Sequence, residues 1–129
     1  MVVYTWGYQG RTTADLREVV EQYGIDLIVD VRGNPFSRRP GWRKESLEEV
    51  FGDRYRWVGW LGNKRYREGG EFRLRDPRRG MAELSHLVQV TGARRVLLLC
   101  YERDWRGCHR REVADLAKER FGARVEHLG

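Results

Sequence analysis

Two short apolar runs limit what this chain can fold into. They are the segments IDLIVDVRG at residues 25–33 and RRVLLLCYE at residues 94–102. The longest unbroken apolar stretch, Val96 to Cys100, is far too short to cross a membrane. Apolar runs of this length are typical of strands buried on both faces, as in parallel sheets covered by helices. The runs therefore predict an α/β fold with a buried parallel sheet.

Predicted helices alternate with predicted strands along the chain. The further strands are VVYTW (2–6), RYRWVGW (54–60) and ARVEHL (123–128), and the helices are TTADLREVVEQYG, KESLEEVFG, DPRRGMAELSHLVQVTG and CHRREVADLAKERFG. Apolar residues recur in the helices at spacings of three and four. The four apolar sets are Leu16, Val19, Val20 and Tyr23; Leu47, Val50 and Phe51; Met81, Leu84, Leu87 and Val88; and Val113, Leu116, Ala117 and Phe121. With 129 residues, the chain is predicted to be a single-domain α/β layered fold over residues 1–129, with a mainly parallel sheet flanked by helices.

The N-terminus and the two cysteines bear on location and cofactors. The first residues, MVVYTWGYQG, lack the features of a signal peptide, so a cytoplasmic protein with no membrane contact is expected. Cys100 and Cys108 are then expected to be reduced thiols rather than a disulfide. Their C-x7-C-H spacing differs from the short spacing of structural zinc sites. No metal or cofactor is therefore predicted, and a metal site at Cys100, Cys108 and His109 is a less favoured alternative.

Positive charge is concentrated in one stretch of the chain. The net charge is +6, and residues 54–79 hold nine basic residues, three acidic residues and five aromatic residues. Basic and aromatic side chains together are typical of nucleic-acid contacts, here through Lys64, Arg65 and Arg67. The alternative is that the aromatic residues belong to a half-buried strand and the arginines to a solvated face.

The residues that follow the strands are the candidates for ligand binding. In open parallel sheets, ligands bind outside the carboxyl ends of the strands. Cys108, His109 and Arg110 lie at a predicted helix N-terminus, where the partial positive charge favours anions and lowers the pKa of a thiol. The triplet therefore predicts an anion site or a reactive Cys108 with a lowered pKa. The alternative is that Cys108 is a packing residue.

Carboxylates at the same strand ends are acid–base candidates. Asp30 interrupts an apolar strand, and Arg32 points to the same face two residues later. Asp30 is therefore either an ion-pair partner of Arg32 or Arg38, or a general acid or base. Glu102, two residues after Cys100, is a second acid–base candidate. The same segment has the C-x5-R outline of a phosphatase loop, but Glu102 and Asp104 would place negative charge in the oxyanion cradle.

The segments DVRGNPFSRRPGW, WLG, LLLCYERDWRGCHRREVADL and VEHL, in this order, resemble the family called domain of unknown function 488. The resemblance covers nearly the whole chain and implies a cytosolic α/β domain, without implying a reaction. The family's characteristic positions match Asp30, Arg32, Pro35, Ser37, Cys100, Glu102, Cys108, His109 and Arg110. The chain departs from the family's pattern at Tyr8 and Gln9, which stand where relatives have a His-Ser pair. If that histidine is catalytic in relatives, this chain either lacks the step or uses Tyr8.

Together these patterns predict a domain that binds a phosphate-bearing ligand, either a nucleotide or nucleic acid, at the strand carboxyl ends. Whether it is an enzyme is left open, as is its oligomeric state. Asp30, Glu102, Cys108 and His109 are the catalytic candidates. Tyr8, Arg32, Ser37, Arg38, Cys100 and Arg110 are the ligand-binding candidates. The alternative is a non-catalytic nucleic-acid-binding module that uses residues 54–79.

Overall fold

The computed structural model describes residues 1–63 and 74–129, and in them the chain has the predicted α/β layered fold. The strands are β1 (Val2–Gly7), β2 (Leu27–Asp30), β3 (Tyr55–Trp57), β4 (Arg95–Cys100) and β5 (Arg124–His127). The helices are α1 (Thr13–Tyr23), α2 (Lys44–Phe51), α3 (Pro77–Thr91) and α4 (Arg110–Phe121).

The five strands form one parallel sheet in the order β3-β2-β4-β1-β5. The second apolar run, β4, lies at the centre and pairs with both β1 and β2, so that Leu97 is opposite Tyr4 on one side and Ile28 on the other. The parallel sheet predicted from the two apolar runs is therefore confirmed.

Each face of the sheet has its own hydrophobic core. Helices α3 and α4 cover one face, which we call the α3/α4 face, and α1 and α2 cover the other, the α1/α2 face. The residues of β4 alternate between them: Val96, Leu98 and Cys100 contribute to the α3/α4 face, and Leu97 and Leu99 contribute to the α1/α2 face. Burial on both faces explains why this strand is apolar throughout.

Local capping signals fix the ends of the helices. Thr12 and Asp15 form a reciprocal capping box at the start of α1, which ends at Gly24 in the left-handed conformation. Asp76 caps α3 through the backbone N–H of Arg79, and Gly92 ends it with a φ of 67°. The corresponding segments predicted as helices begin at Thr12 and Asp76 and end at Gly24 and Gly92, in agreement with these caps.

Three predicted details differ in the structure. The strand predicted over residues 54–60 is limited to Tyr55–Trp57, because the chain turns at residues 59–61 to pack against α3. Val50 is 46% exposed, since the short helix α2 buries only Leu47 and Phe51. Helix α4 begins at Arg110, and its buried apolar residues are Val113, Ala114 and Ala117, with Leu116 and Phe121 partly buried.

Among the described residues, no helix has the length and apolar character needed to cross a membrane. Residues 64–73, within the basic stretch at residues 54–79, lie outside the described residues. Lys64, Arg65 and Arg67, the predicted nucleic-acid contacts, are in that part.

Candidate functional site

The carboxyl ends of the strands form one edge of the sheet, which we call the carboxyl edge. Its loops are residues 8–12, 31–43, 58–63 and 101–109. Every site residue predicted from the sequence that the structure describes lies at or directly beside this edge. The sheet divides the buried ones into two groups, one on each face.

The first group, on the α1/α2 face, is built around Asp30. Its carboxylate is fully buried and pairs with Arg32, whose nitrogen lies 2.6 Å from Oδ2. The Tyr55 hydroxyl also donates a hydrogen bond to Asp30. Arg32 further donates to the Tyr8 hydroxyl at 3.2 Å and to the Trp42 carbonyl at 2.7 Å. The ion-pair alternative for Asp30 is therefore the arrangement present, and the donors of Arg32 serve internal partners.

Charge and burial explain the protonation states in this group. Burial lowers the pKa of Arg32, but the hydrogen bonds and charge of Asp30 outweigh it, and the net pKa of Arg32 is raised. Burial raises the pKa of Tyr55, and the neighbouring Asp30 charge raises it further. The group is thus a fixed ion pair with a neutral tyrosine hydroxyl bonded to it.

The remaining candidates near this face have different environments. Tyr8 is buried, and its ring stacks on Trp42 with the centroids 4.4 Å apart. Ser37 Oγ accepts a hydrogen bond from the backbone of Arg39 at 3.2 Å, which shapes the loop. Arg38 is exposed on the same loop. Of the three candidates, Arg38 is the one open to a ligand from solvent.

The second group, on the α3/α4 face, consists of Cys100, Cys108 and His109. All three are buried, and both cysteines are free thiols. The two sulfurs lie 2.6 Å apart, and His109 Nδ1 lies 3.7 Å from Cys100 Sγ and 3.8 Å from Cys108 Sγ. The Cys108 thiol donates to Cys100, and the Cys100 thiol donates to Glu102 Oε2 at 3.1 Å.

The predicted lowering of the Cys108 pKa is wrong. Burial raises the pKa of this thiol, and the adjacent Cys100 raises it further, while His109 offsets only part of the rise. The prediction relied on the partial positive charge of a helix N-terminus, but α4 begins two residues later and Cys108 is completely buried. Cys108 is therefore a neutral thiol in the core.

His109 is held in one orientation by the end of β2. Its Nε2 lies 2.6 Å from the Val31 carbonyl oxygen, and because a carbonyl only accepts, Nε2 carries a proton. Nδ1 then faces the two sulfurs. Burial lowers the pKa of His109, but the Cys108 contact and the Val31 carbonyl outweigh it, and the net pKa is raised.

Arg110 holds the loop that follows β4. It is fully buried, and it donates to the backbone carbonyls of Glu102 and of Arg103, the latter at 3.1 Å. Its Nε has no hydrogen-bond partner among the described residues. His109 and Arg110 are thus both buried, and the terminal nitrogens of Arg110 support the loop.

The two candidate carboxylates lie on opposite faces of the sheet. Asp30 is in the group on the α1/α2 face, whereas Glu102 contacts Cys100 on the α3/α4 face. Glu102 is also only partly buried. The structure thus does not place them together as an acid–base pair. The phosphatase-loop outline also lacks a cradle, because the Arg106 side chain is 70% exposed and pairs with Asp104.

Sequence reasoning missed a set of aromatic–arginine pairs along the carboxyl edge. The guanidinium carbon lies over the ring at 4.8 Å for Arg43 on Phe36, 5.0 Å for Arg79 on Trp60, and 4.8 Å for Arg106 on Trp105. Phe36 is 66% exposed and Trp60 is 42% exposed. The available signal was an aromatic residue in the loops that follow β2, β3 and β4.

Positive charge collects along the same edge. The loop at residues 31–43 contains four arginines and no acidic residue. Arg11 lies near Arg103 and Arg110, where β1 and β4 end. Burial lowers the pKa of Arg11, and the positive charges of Arg103 and Arg110 lower it further. The Asp15 charge partly opposes this decrease. Several arginine side chains are therefore grouped at the carboxyl edge.

A family model described as Domain of unknown function DUF488 matches residues 12–117. The matched segment runs from the cap of α1 into α4, and it contains both buried groups and all three aromatic–arginine pairs. No curated protein and no solved structure matches the chain.

Proposed function

Because the chain belongs to the family of the domain of unknown function DUF488, whose name assigns no reaction, we propose a function from the carboxyl edge itself: the domain binds single-stranded nucleic acid there. The observation that carries this proposal is a pair of exposed aromatic rings, Phe36 and Trp60, each with an arginine over it. Nucleic acid is one of the two phosphate-bearing ligands predicted from the sequence.

The stacked pairs have the chemistry that unpaired bases require. Bases stack on aromatic side chains and on guanidinium planes, and each stack contributes roughly 1–3 kcal/mol without regard to sequence. Phe36 and Trp60 present aromatic ring surface to solvent, and Arg79 beside Trp60 is exposed as well. Tyr101, 38% exposed, adds a further ring after β4. Bases inside a duplex are stacked on each other and cannot use these rings, so the surface favours a single strand.

The loops that carry the rings contact one another. Gly62 lies so close to Gly33 that a Cβ on Gly62 would be 2.2 Å from the Gly33 Cα, which joins the loops after β2 and β3. Trp105, after β4, stacks on His127 at the end of β5 with the centroids 3.9 Å apart. The rings therefore extend along one continuous edge, over five strands spaced about 4.8 Å apart.

Arginines between the rings supply contacts for phosphates. Arg38 and Arg39 are exposed on the loop after β2, Arg79 is exposed beside Trp60, and Arg103 and Arg106 are exposed on the loop after β4. A guanidinium matches the geometry of a phosphate with two parallel hydrogen bonds. By contrast, the cleft between α2, β3 and α3 mixes Glu48, Asp53 and Glu83 with Lys44 and Arg56, so an anion is not favoured there.

The test is fluorescence anisotropy with a dye-labelled single-stranded oligonucleotide of mixed sequence. Wild-type protein is compared with Phe36→Ala, Trp60→Ala and the double variant. The matched control is Val90→Ala, which removes an apolar side chain that is 63% exposed on α3, away from the carboxyl edge. Circular dichroism confirms that each variant is folded.

We expect each aromatic substitution to weaken binding by about tenfold, the effect of losing one stacked base, and Val90→Ala to bind as wild type does. An unlabelled duplex should compete less well than an unlabelled single strand. The proposal fails if wild-type protein shows no saturable binding at low salt, or if the double variant binds as tightly as the control. Competition by a mononucleotide as effective as that by the oligonucleotide would instead indicate a small-ligand site.

A further inference from the structure

The side chains of Cys100, Cys108 and His109 form a compact donor group that nucleic-acid binding does not use. They come from the end of β4 and from the turn that leads into α4, and all three are buried on the α3/α4 face. The two sulfurs and the histidine nitrogen all lie within 4.8 Å of one another. Packing of a hydrophobic core does not by itself require two sulfurs and a ring nitrogen to face one another.

The orientation of His109 supplies the decisive detail. Its Nε2–H donates to the Val31 carbonyl at 2.6 Å, so that the other ring nitrogen, Nδ1, faces the sulfurs. Histidines that bind metals are generally held in this way, because a hydrogen bond from one ring nitrogen to a backbone carbonyl orients the other nitrogen toward the ion. The backbone N–H of Arg110 also points to Cys108 Sγ at 3.5 Å, a contact that stabilises a metal-bound thiolate.

We propose that Cys100, Cys108 and His109 form a binding site for a thiophilic metal ion, for which Zn²⁺ has the best match. In a tetrahedral zinc site, bond lengths of about 2.3 Å to sulfur and about 2.05 Å to nitrogen separate a sulfur and a nitrogen by about 3.6 Å. The observed separations are 3.7 and 3.8 Å. The sulfurs, 2.6 Å apart, would have to move apart by about 1 Å to reach the separation of two sulfurs on a tetrahedral zinc ion.

The donor types select the class of ion. Thiolate and imidazole suit zinc and copper(I), whereas magnesium and calcium require oxygen ligands. Two thiolates and a neutral imidazole balance the charge of Zn²⁺, so a buried ion leaves no net charge in the core. Binding would release the thiol protons to solvent. A disulfide between the same cysteines would use both sulfurs and give no role to His109 Nδ1.

Three protein ligands leave a tetrahedral ion with one further position. Zinc sites that take part in reactions commonly have three protein ligands, and structural zinc sites commonly have four. Glu102, with Oε2 3.1 Å from Cys100 Sγ, is partly buried and provides a carboxylate beside the donor group. The site therefore leaves one position of the ion for a water molecule or for the Glu102 carboxylate.

The experiment is a Zn²⁺ titration of untagged protein that has been reduced and stripped with a chelator. A chromophoric chelator competes for the ion and reports its free concentration. The variants are Cys108→Ser and His109→Gln, with His86→Gln as the matched control, because His86 is exposed on α3. Mg²⁺ serves as the control ion. Co²⁺ binding to wild-type protein is followed by absorption, because sulfur–cobalt charge transfer reports thiolate ligation.

We expect wild type and His86→Gln to bind one equivalent of Zn²⁺ tightly in the presence of Mg²⁺. Cys108→Ser and His109→Gln should lose that equivalent, and Co²⁺ should give a charge-transfer band in wild type. The proposal is overturned if reduced wild type binds Zn²⁺ no more tightly than His109→Gln. It is also overturned if Co²⁺ gives no charge-transfer band with wild-type protein. This second measurement does not depend on the folding of any variant. Neither outcome depends on oligonucleotide binding.

Discussion

At the scale of single residues, the Asp30 carboxylate at the end of β2 links this strand to β3 by hydrogen bonding. Asp30 accepts hydrogen bonds from Arg32 in the adjoining loop and from Tyr55 on β3, and its carboxylate is fully buried. Asp30→Asn leaves the Arg32 guanidinium buried without a counter-charge. We expect it to lower the free energy of unfolding by about 3–5 kcal/mol, the usual cost of breaking a buried pair.

Urea unfolding followed by circular dichroism measures this loss. The matched control is Asp53→Asn, the same substitution at an exposed position, which should change stability by less than about 0.5 kcal/mol. If the two variants are equally stable, Asp30 does not hold the strands as described.

Tyr55 makes the stability of the fold depend on alkaline pH. Burial and the Asp30 charge raise its pKa in the folded protein, whereas an unfolded tyrosine ionises near about pH 10. The contribution of the neutral hydroxyl is therefore complete below about pH 10 and is lost as the pH rises toward the higher folded value. Wild type should be more stable than Tyr55→Phe at neutral pH by about 2 kcal/mol, the value of a hydrogen bond to a charged group.

The two proteins should approach each other in stability as the pH is raised above about 10. Urea midpoints for both, measured from neutral to alkaline pH, check this. Other ionisable groups are common to the two proteins and cancel in the difference. A difference that stays constant over the whole range would show that Tyr55 ionises in the folded protein as it does in the unfolded chain.

Sequence patterns identified residues whose partners are close along the chain. Arg32 was predicted as a partner of Asp30 because residues two apart on a strand share a face. Tyr55 was not, since its contact with Asp30 depends on β3 pairing beside β2. The pKa prediction for Cys108 was wrong for the same reason. The position of a residue at a predicted helix start does not tell how deeply tertiary packing buries its side chain.

At the scale of elements, the end of β1 lies against the loop that follows β4. A Cβ on Gly7 would be 1.7 Å from the Glu102 carbonyl oxygen, so only glycine permits the contact. Gly7→Ala should push this loop outward and lower the free energy of unfolding by about 3 kcal/mol, as overpacking against backbone does.

Thermal and urea unfolding give the loss. Gly107→Ala is the control, because it lies in the same loop and a Cβ there has no atom within 4 Å. It should change stability by less than about 0.5 kcal/mol. A Gly7→Ala protein as stable as the control would mean that the loop and β1 separate without cost.

Element boundaries could be predicted where local chemistry sets them and not where packing does. Thr12, Gly24 and Asp76 carry their capping signals in the sequence, and α1 and α3 follow them. The alternation of apolar and polar residues at 54–60 predicted a strand of seven residues. In the structure, contacts of the following turn with α3 limit the strand to three residues. The start of α4 at Arg110 likewise follows from the loop that its side chain holds.

At the scale of the whole molecule, the two apolar runs predicted the sheet and its buried faces, but not the order of its strands. That order, β3-β2-β4-β1-β5, places the loops with Phe36, Trp60 and Trp105 along one edge. It also places Asp30 and the cysteine–histidine group on opposite faces. The sequence therefore predicted that the candidate residues lie at the strand ends. It could not predict which face of the sheet each of them occupies, because that depends on the three-dimensional fold.

If the carboxyl edge contacts the phosphates of a single strand, the affinity of the protein for an oligonucleotide must fall as the salt concentration rises. The affinity of a labelled oligonucleotide is measured over a range of salt concentrations for wild type, Arg79→Gln and Arg94→Gln. Both substitutions remove one positive charge. Arg79 is at the carboxyl edge beside Trp60, and Arg94 precedes β4 at the opposite edge.

We expect Arg79→Gln to weaken binding and to reduce the slope of log affinity against log salt by about 0.7, the value of one phosphate contact on a single strand. Arg94→Gln should keep the wild-type slope. Equal slopes for all three proteins, or a loss in Arg94→Gln as large as that in Arg79→Gln, would contradict a binding surface at the carboxyl edge.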